Sequence, residues 1–255
     1  MRPILISFLA ICVSTGSAVA DSAATCSIRA GEVDQKLAFT LDSGDCSSDQ
    51  HCGTNNLDMT WSRWTGIAPG DLAREGATID ARLKADSGQM RCSGTVRGAV
   101  MRGTFSFTPD PDFARRMEAM GFDHQTPRQL RDYAFLDVTT AWVQDMKSAG
   151  VQGMTAENVM GLRALGVDRE YVKEMAAAGY PELRSDKLTS MKAVGVSPEK
   201  VQAIRAMGFS PTEDELIEMS VFKIDAQFVE KMKARGFQNL TIAQLVKIKV
   251  FKLDE

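Results

Sequence analysis

Two different periods of apolar and polar residues divide the chain. Before residue 110 the period is two. Lys36-Leu37-Ala38-Phe39-Thr40-Leu41, Thr78-Ile79-Asp80-Ala81-Arg82-Leu83 and Gly103-Thr104-Phe105-Ser106-Phe107-Thr108 alternate as half-buried strands do. Asp86-Ser87-Gly88 is a turn signal ahead of Met90–Val96, and glycines at 94, 98 and 103 suit hairpins or bulges. The expected fold here is a small antiparallel sheet of roughly five or six strands.

From Asp110 onward the pattern is helical and repeats. Gly121, Gly150, Gly179, Gly208 and Gly236 recur at steps of 29, 29, 29 and 28 residues. Phe113, Trp142, Tyr171 and Phe228 stand eight residues before their glycines, and Lys200 takes that place in the fourth unit. Met117, Met146, Met175, Ile204 and Met232 form a second apolar column. Asp110, Thr139, Asp168, Ser197 and Asp225 form a column of residues able to cap a helix. Pro111 and Pro198 fit the first helical position. Each unit therefore predicts a cap, a helix of about eleven residues, a glycine stop, and then a second cap and a shorter helix. The second cap column is expected at Thr126, Thr155, Arg184 (beside Ser185), Glu213 (after Thr212) and Thr241. Its apolar column is expected at Leu130, Val159, Leu188, Ile217 and Leu245. Helices this short gain their stability by stacking on neighbours, and the recurring glycines read as structural turns. The fold class is thus α+β: a small disulfide-bearing antiparallel β domain at 21–109, then an α-helical repeat array at 110–255 with about five units of ~29 residues.

The leader changes the expected compartment. Arg2, the apolar run Ile4–Val13 and Ala18-Val19-Ala20 have the form of a secretory signal peptide over residues 1–20, cut after Ala20. The expected location is periplasmic or secreted, without stable membrane insertion. Loss of Cys12 with the leader leaves Cys26, Cys46, Cys52 and Cys92, which allow three pairings. Proximity favours Cys46–Cys52 as a local staple, with Cys26–Cys92 as the long tie. Metal binding near His51 would lack a second ligand pair of the zinc-finger kind.

Charge and composition narrow the function. The formal net charge is -3, so neither nucleic acid nor an anionic membrane is an expected partner. Only His51 and His124 are available for proton transfer near neutral pH, and no Gly-x-Ser-x-Gly or phosphate-binding glycine loop occurs. No catalytic residue, metal site or cofactor is expected, and the partner is expected to be a protein or peptide. The opposing reading is a hydrolase using an unrecognised carboxylate site in the β domain. Three residues are candidate partner contacts. Trp61 and Trp64 would lie on opposite faces of a strand, one in the core and one as an exposed platform. Lys200 leaves a gap where the other units carry a ring.

The run Arg91–Gly94, the segment Gly103–Asp110, and repeats of the form Val-Ser-Pro-Glu-x-Val-x-x-Ile-x-x-Met-Gly-Phe resemble a group of exported bacterial proteins with a small β domain and ~29-residue helical repeats. Similar modules occur on the sensor side of BlaR-like membrane metalloprotease receptors. The resemblance spans residues 78–255 and implies a sensing or interaction role with no catalytic residue to carry over. The chain lacks the His-Glu-x-x-His motif of those proteases.

Overall fold

A computed structural model describes residues 24–33, 35–42 and 55–253. The leader, Cys46, His51 and Cys52 lie outside the described residues. Among the described residues seven strands form one antiparallel sheet: β1 (Thr25–Ala30), β2 (Lys36–Asp42), β3 (Asn55–Thr60), β4 (Trp64–Thr65), β5 (Thr78–Ala85), β6 (Gly88–Arg97) and β7 (Val100–Pro109). Their order is β3-β2-β1-β7-β6-β5-β4. The expected five or six strands become seven because β1, β3 and the two-residue β4 carry too little alternation to stand out. The edge strands β3 and β4 are separated in sequence only by a 3-10 turn at Trp61–Arg63, so the sheet must curl until its edges approach. Ile28, Leu37, Phe39, Leu83, Met90 and Met101 fill the concave side.

Cys26 and Cys92 form a disulfide with 6.1 Å between their Cα atoms. It ties β1 to β6 across the intervening β7, where Gly103 sits opposite Cys26 and adds no side chain. Gly103 also pairs with Gly94, and a Cβ on either would fall 1.9 Å from a carbonyl oxygen of the partner strand. Only glycine fits so close an approach.

Ten helices follow: α1 (Pro111–Ala119), α2 (Pro127–Leu136), α3 (Thr140–Ser148), α4 (Asn158–Ala164), α5 (Arg169–Ala177), α6 (Ser185–Ala193), α7 (Pro198–Ala206), α8 (Glu213–Val221), α9 (Ala226–Ala234) and α10 (Ile242–Val250). Nine residues is the common length, so the expected long-then-short alternation is corrected to near equality. Among the described residues no helix is long and apolar enough to cross a membrane. Helices α1, α3, α5 and α7 pack in succession, as do α2, α4, α6, α8 and α10. The capping side chains Asp110, Thr139, Asp168, Ser197 and Asp225 each accept an N–H from the first turn that follows. All five glycines of the 29-residue column take left-handed φ between 87° and 99°. At each, the glycine N–H and the next N–H bond back to the closing helix, as Gly179 does to Ala176 and Tyr180 to Met175.

The fourth unit shifts register. Thr212, not Glu213, caps α8, and Leu216, not Ile217, is fully buried. Between glycine and cap the other units have four residues, as in Tyr180–Leu183, whereas Phe209-Ser210-Pro211 has three. Arg184 makes no side-chain cap bond, and the second cap of the preceding unit is Thr155, which accepts from Asn158 N–H at 3.2 Å.

Helix α2 joins the two parts. Ala134 and Phe135 complete the sheet's core, with Phe135 5.5 Å from the Phe39 ring. Arg63, on the turn between β3 and β4, donates to the carbonyls of Ala134 (2.8 Å) and Phe135 (2.9 Å) and pairs with Asp137 at 3.3 Å. Arg163 of α4 donates to the Leu136 and Asp137 carbonyls and pairs with the same carboxylate at 3.1 Å. Two guanidinium groups thus satisfy the open end of one helix, where cations are favoured. Asp86, in the β5–β6 turn, accepts from Thr140 N–H and Oγ1, both at 2.8 Å, and anchors the start of α3.

Candidate interaction groove

Aromatic residues at the start of the odd helices do structural work. Trp142 Nε1 donates to the Val167 carbonyl at 3.1 Å, and Tyr171 Oη donates to the Val196 carbonyl at 2.9 Å. A cation twenty-one residues further on covers three of these rings: Arg163 over Trp142, Lys192 over Tyr171 and Lys249 over Phe228. Burial pushes the Tyr171 phenol up to about 12. Tyr133, whose Oη donates to the Ala156 carbonyl at 2.7 Å, is also pushed up to about 12 by burial.

Lys200 is half-buried in this column. Burial draws its pKa below the usual lysine value, and the neighbouring Asp225 carboxylate opposes that shift. Lys200 therefore has an acidic neighbour within the fold. Trp61 and Trp64 do not share a strand: Trp61 opens the 3-10 turn, and Trp64 follows it on β4. Trp64 is 5% exposed and stacks on Phe39 at 5.2 Å. Its buried Nε1 has no hydrogen-bond partner among the described residues. Trp61 is half-exposed in a shallow cleft beside Val33, Gln35 and Pro69. The structure does not bring Trp61, Trp64 and Lys200 together.

A different feature stands out, where α7–α8 meet α9–α10. A groove of about 520 Å³ runs between the short linker Phe209–Pro211 and the next linker, Phe237–Leu240. Its walls include Phe209, Ser210, Lys233, Phe237, Leu240 and Ile242. Phe237 is 45% exposed, and Lys233 Nζ pairs with Glu230 at 2.8 Å.

Comparison with the other junctions explains the opening. At the first, Lys147 lies over Phe122 and donates to the Met120 carbonyl at 2.6 Å. At the second, Gln152 N–H donates to the Leu183 carbonyl (3.2 Å), and Ser185 N–H donates to the Gln152 carbonyl (2.8 Å), forming a parallel bridge between linkers. At the third, Pro181 has no N–H to give, and Tyr180 Oη donates to the Pro211 carbonyl at 2.6 Å. At the fourth, Ser210 occupies the column of Gln152, while Leu240 and Ile242 occupy those of Leu183 and Ser185. Among the described residues no hydrogen bond joins Ser210 to Leu240 or Ile242. Among the described residues the fourth junction thus shows neither the linker-to-linker bonds of the second nor the side-chain contacts recorded at the first and third, and its first linker is one residue short.

Sequence reasoning missed Phe209, Leu240 and Ile242. The usable signal was the single 28-residue step among the glycines, once located between Gly208 and Thr212. Neither the family models, the curated proteins nor the solved structures contain a match to this chain.

Proposed function

We propose that the chain is an exported, non-catalytic interaction module that binds a polypeptide partner in the groove between Phe209–Pro211 and Phe237–Ile242. The five helical pairs are read as one stacked repeat array, which presents an extended surface to a partner. The β domain caps its first end through Arg63, through Asp86 and through Phe39, which packs on Phe135 of α2. The leader at 1–20 and the Cys26–Cys92 disulfide support a periplasmic or secreted site of action. The observation that carries the reading is the open fourth junction, with the Phe209 and Phe237 rings in its walls. Aromatic anchors in such clefts commonly dominate binding to polypeptides.

The test is selection from a random-peptide display library against the secreted full chain, followed by binding to a Phe237→Glu variant. Selected peptides are expected to bind the parent and to bind the variant about tenfold or more weakly, as loss of a central anchor implies. Failure to select any peptide, or equal binding to the variant, would overturn the groove assignment.

A further inference from the structure

The second junction contains an occupant for the place left open at the fourth. There Gln152, just after the Gly150 stop, makes a single parallel bridge to the next linker, donating to the Leu183 carbonyl and accepting from Ser185 N–H. Apolar neighbours hold it: Val151 is buried, and Met154 packs partly against the same core. The linker 237–240 and the first residue of α10 have the same frame at the last junction. Leu240 carries the carbonyl in the Leu183 column, and Ile242 carries the N–H in the Ser185 column. The donor linker before it is one residue short, and Ser210 makes neither bond.

We infer that the fourth junction accepts a short extended peptide segment of the partner, which takes the part that Gln152 plays at the second. One peptide residue donates its N–H to the Leu240 carbonyl and accepts from Ile242 N–H, as an added strand does. Its apolar neighbours enter the groove against Phe209 and Phe237. Side chains in an extended segment alternate in direction. The two residues flanking the bonded one therefore share a face, and the pattern recognised is apolar-x-apolar, with Val151-Gln152-Gly153 as its internal counterpart. Ile242 stands where the second junction has Ser185, whose Oγ donates to the Gly153 carbonyl at 2.8 Å. The fourth junction thus favours more apolar flanking residues than the internal example. This inference rests on the groove being the binding site and specifies the conformation bound there.

The probe is a synthetic peptide with the sequence of residues 149–156, blocked at both ends, together with a copy N-methylated at the residue corresponding to Gln152. Binding to the full chain is followed by amide chemical shifts. The unmodified peptide is expected to move the Thr241 and Ile242 amide signals, and the N-methylated copy to bind about tenfold more weakly, the effect of losing roughly one hydrogen bond. Ile242→Pro removes the receiving N–H at a position where Pro127 shows that the fold takes proline. Ile242→Ala removes comparable packing but keeps the N–H. Loss of binding in Ile242→Pro with retention in Ile242→Ala supports the strand mode. Absence of shifts at saturating peptide, or equal binding by both peptides, overturns it. If library-selected peptides still bind in a Phe237-dependent manner in that case, the groove assignment stands and only the extended main-chain mode falls.

Discussion

Lys200 and Ser220 replace, in the α7–α8 pair, the ring and the cation that face each other in three other helical pairs. Trp142 has Arg163, Tyr171 has Lys192 and Phe228 has Lys249 over its face. In the fourth unit the ring column holds Lys200, and the cation column, after the one-residue shift, holds Ser220. Ser220 Oγ donates to the Leu216 carbonyl at 2.8 Å. A lysine facing a second lysine would repel it, so the two exchanges are physically consistent. Restoring the ring with Lys200→Phe adds apolar burial and is expected to stabilise the fold by about 1 kcal/mol. Adding Ser220→Lys should give a favourable coupling of about 0.5 kcal/mol in a double-mutant cycle. Thermal melts of the four proteins check this; a Lys200→Phe variant that melts lower would show that the Asp225 neighbour outweighs a ring.

The Cys26–Cys92 bridge closes a long loop, with a sequence separation of 66. Constraint of the unfolded chain by a loop of this size is expected to contribute about 4 kcal/mol. Replacing both cysteines with alanine should lower the melting temperature of the whole chain, because Phe135 of α2 completes the same core. A melt unchanged within error would mean the sheet is held without the tie.

The left-handed helix ends give opposite predictions at two sites. Gly179 has φ 99°, and an added Cβ would meet the Arg205 guanidinium at 2.5 Å. Gly179→Val should destabilise by about 1–2 kcal/mol. Lys223 closes α8 with φ 52°, a conformation in which L side chains are strained. Lys223→Gly should therefore raise stability by up to about 1 kcal/mol. Denaturant titration of both variants provides the check, and equal signs would contradict this account of the helix ends.

Alkaline pH should unfold the chain through its buried tyrosines. Burial pushes the Tyr133 and Tyr171 phenols up to about 12, against the usual 10. Their neutral forms contribute stability that is fully present below pH 10. It is lost as pH rises from 10 towards 12, because the unfolded chain ionises first. Tyr171→Phe forfeits the bond to the Val196 carbonyl at neutral pH but should make the alkaline loss shallower. An identical slope from pH 10 to 12 in this variant would remove Tyr171 from the explanation.

Helix starts and stops were legible because they depend on local chemistry. Asp110, Thr139 and Asp168 cap where their side chains indicate, and the glycine column ends helices as expected. The strands β1 and β3 were not legible, since their partners lie far away in sequence and their burial comes from the curl of the sheet. Trp61 and Trp64 do not share the expected strand because a 3-10 turn separates them, although Trp64 lies in the core and Trp61 is half-exposed. The groove was hidden for a related reason. A missing linker residue is visible as spacing, but its effect is read against what Gln152 does two helical pairs earlier, which only three-dimensional contacts reveal.

The most direct test of the groove is amide hydrogen exchange at matched positions of the second and fourth junctions. Gln152 and Ser185 amides donate across their junction and should exchange slowly in the free chain. The Ser210 and Ile242 amides make no cross-junction bond and should exchange faster by about one to two orders of magnitude, the scale set by a local opening free energy of ~1.5–3 kcal/mol. On addition of a groove-binding peptide, Ile242 should gain protection while Gln152 stays unchanged. Equal protection at both junctions in the free chain, or no gain at Ile242 with peptide bound, would contradict an open fourth junction that a partner strand completes.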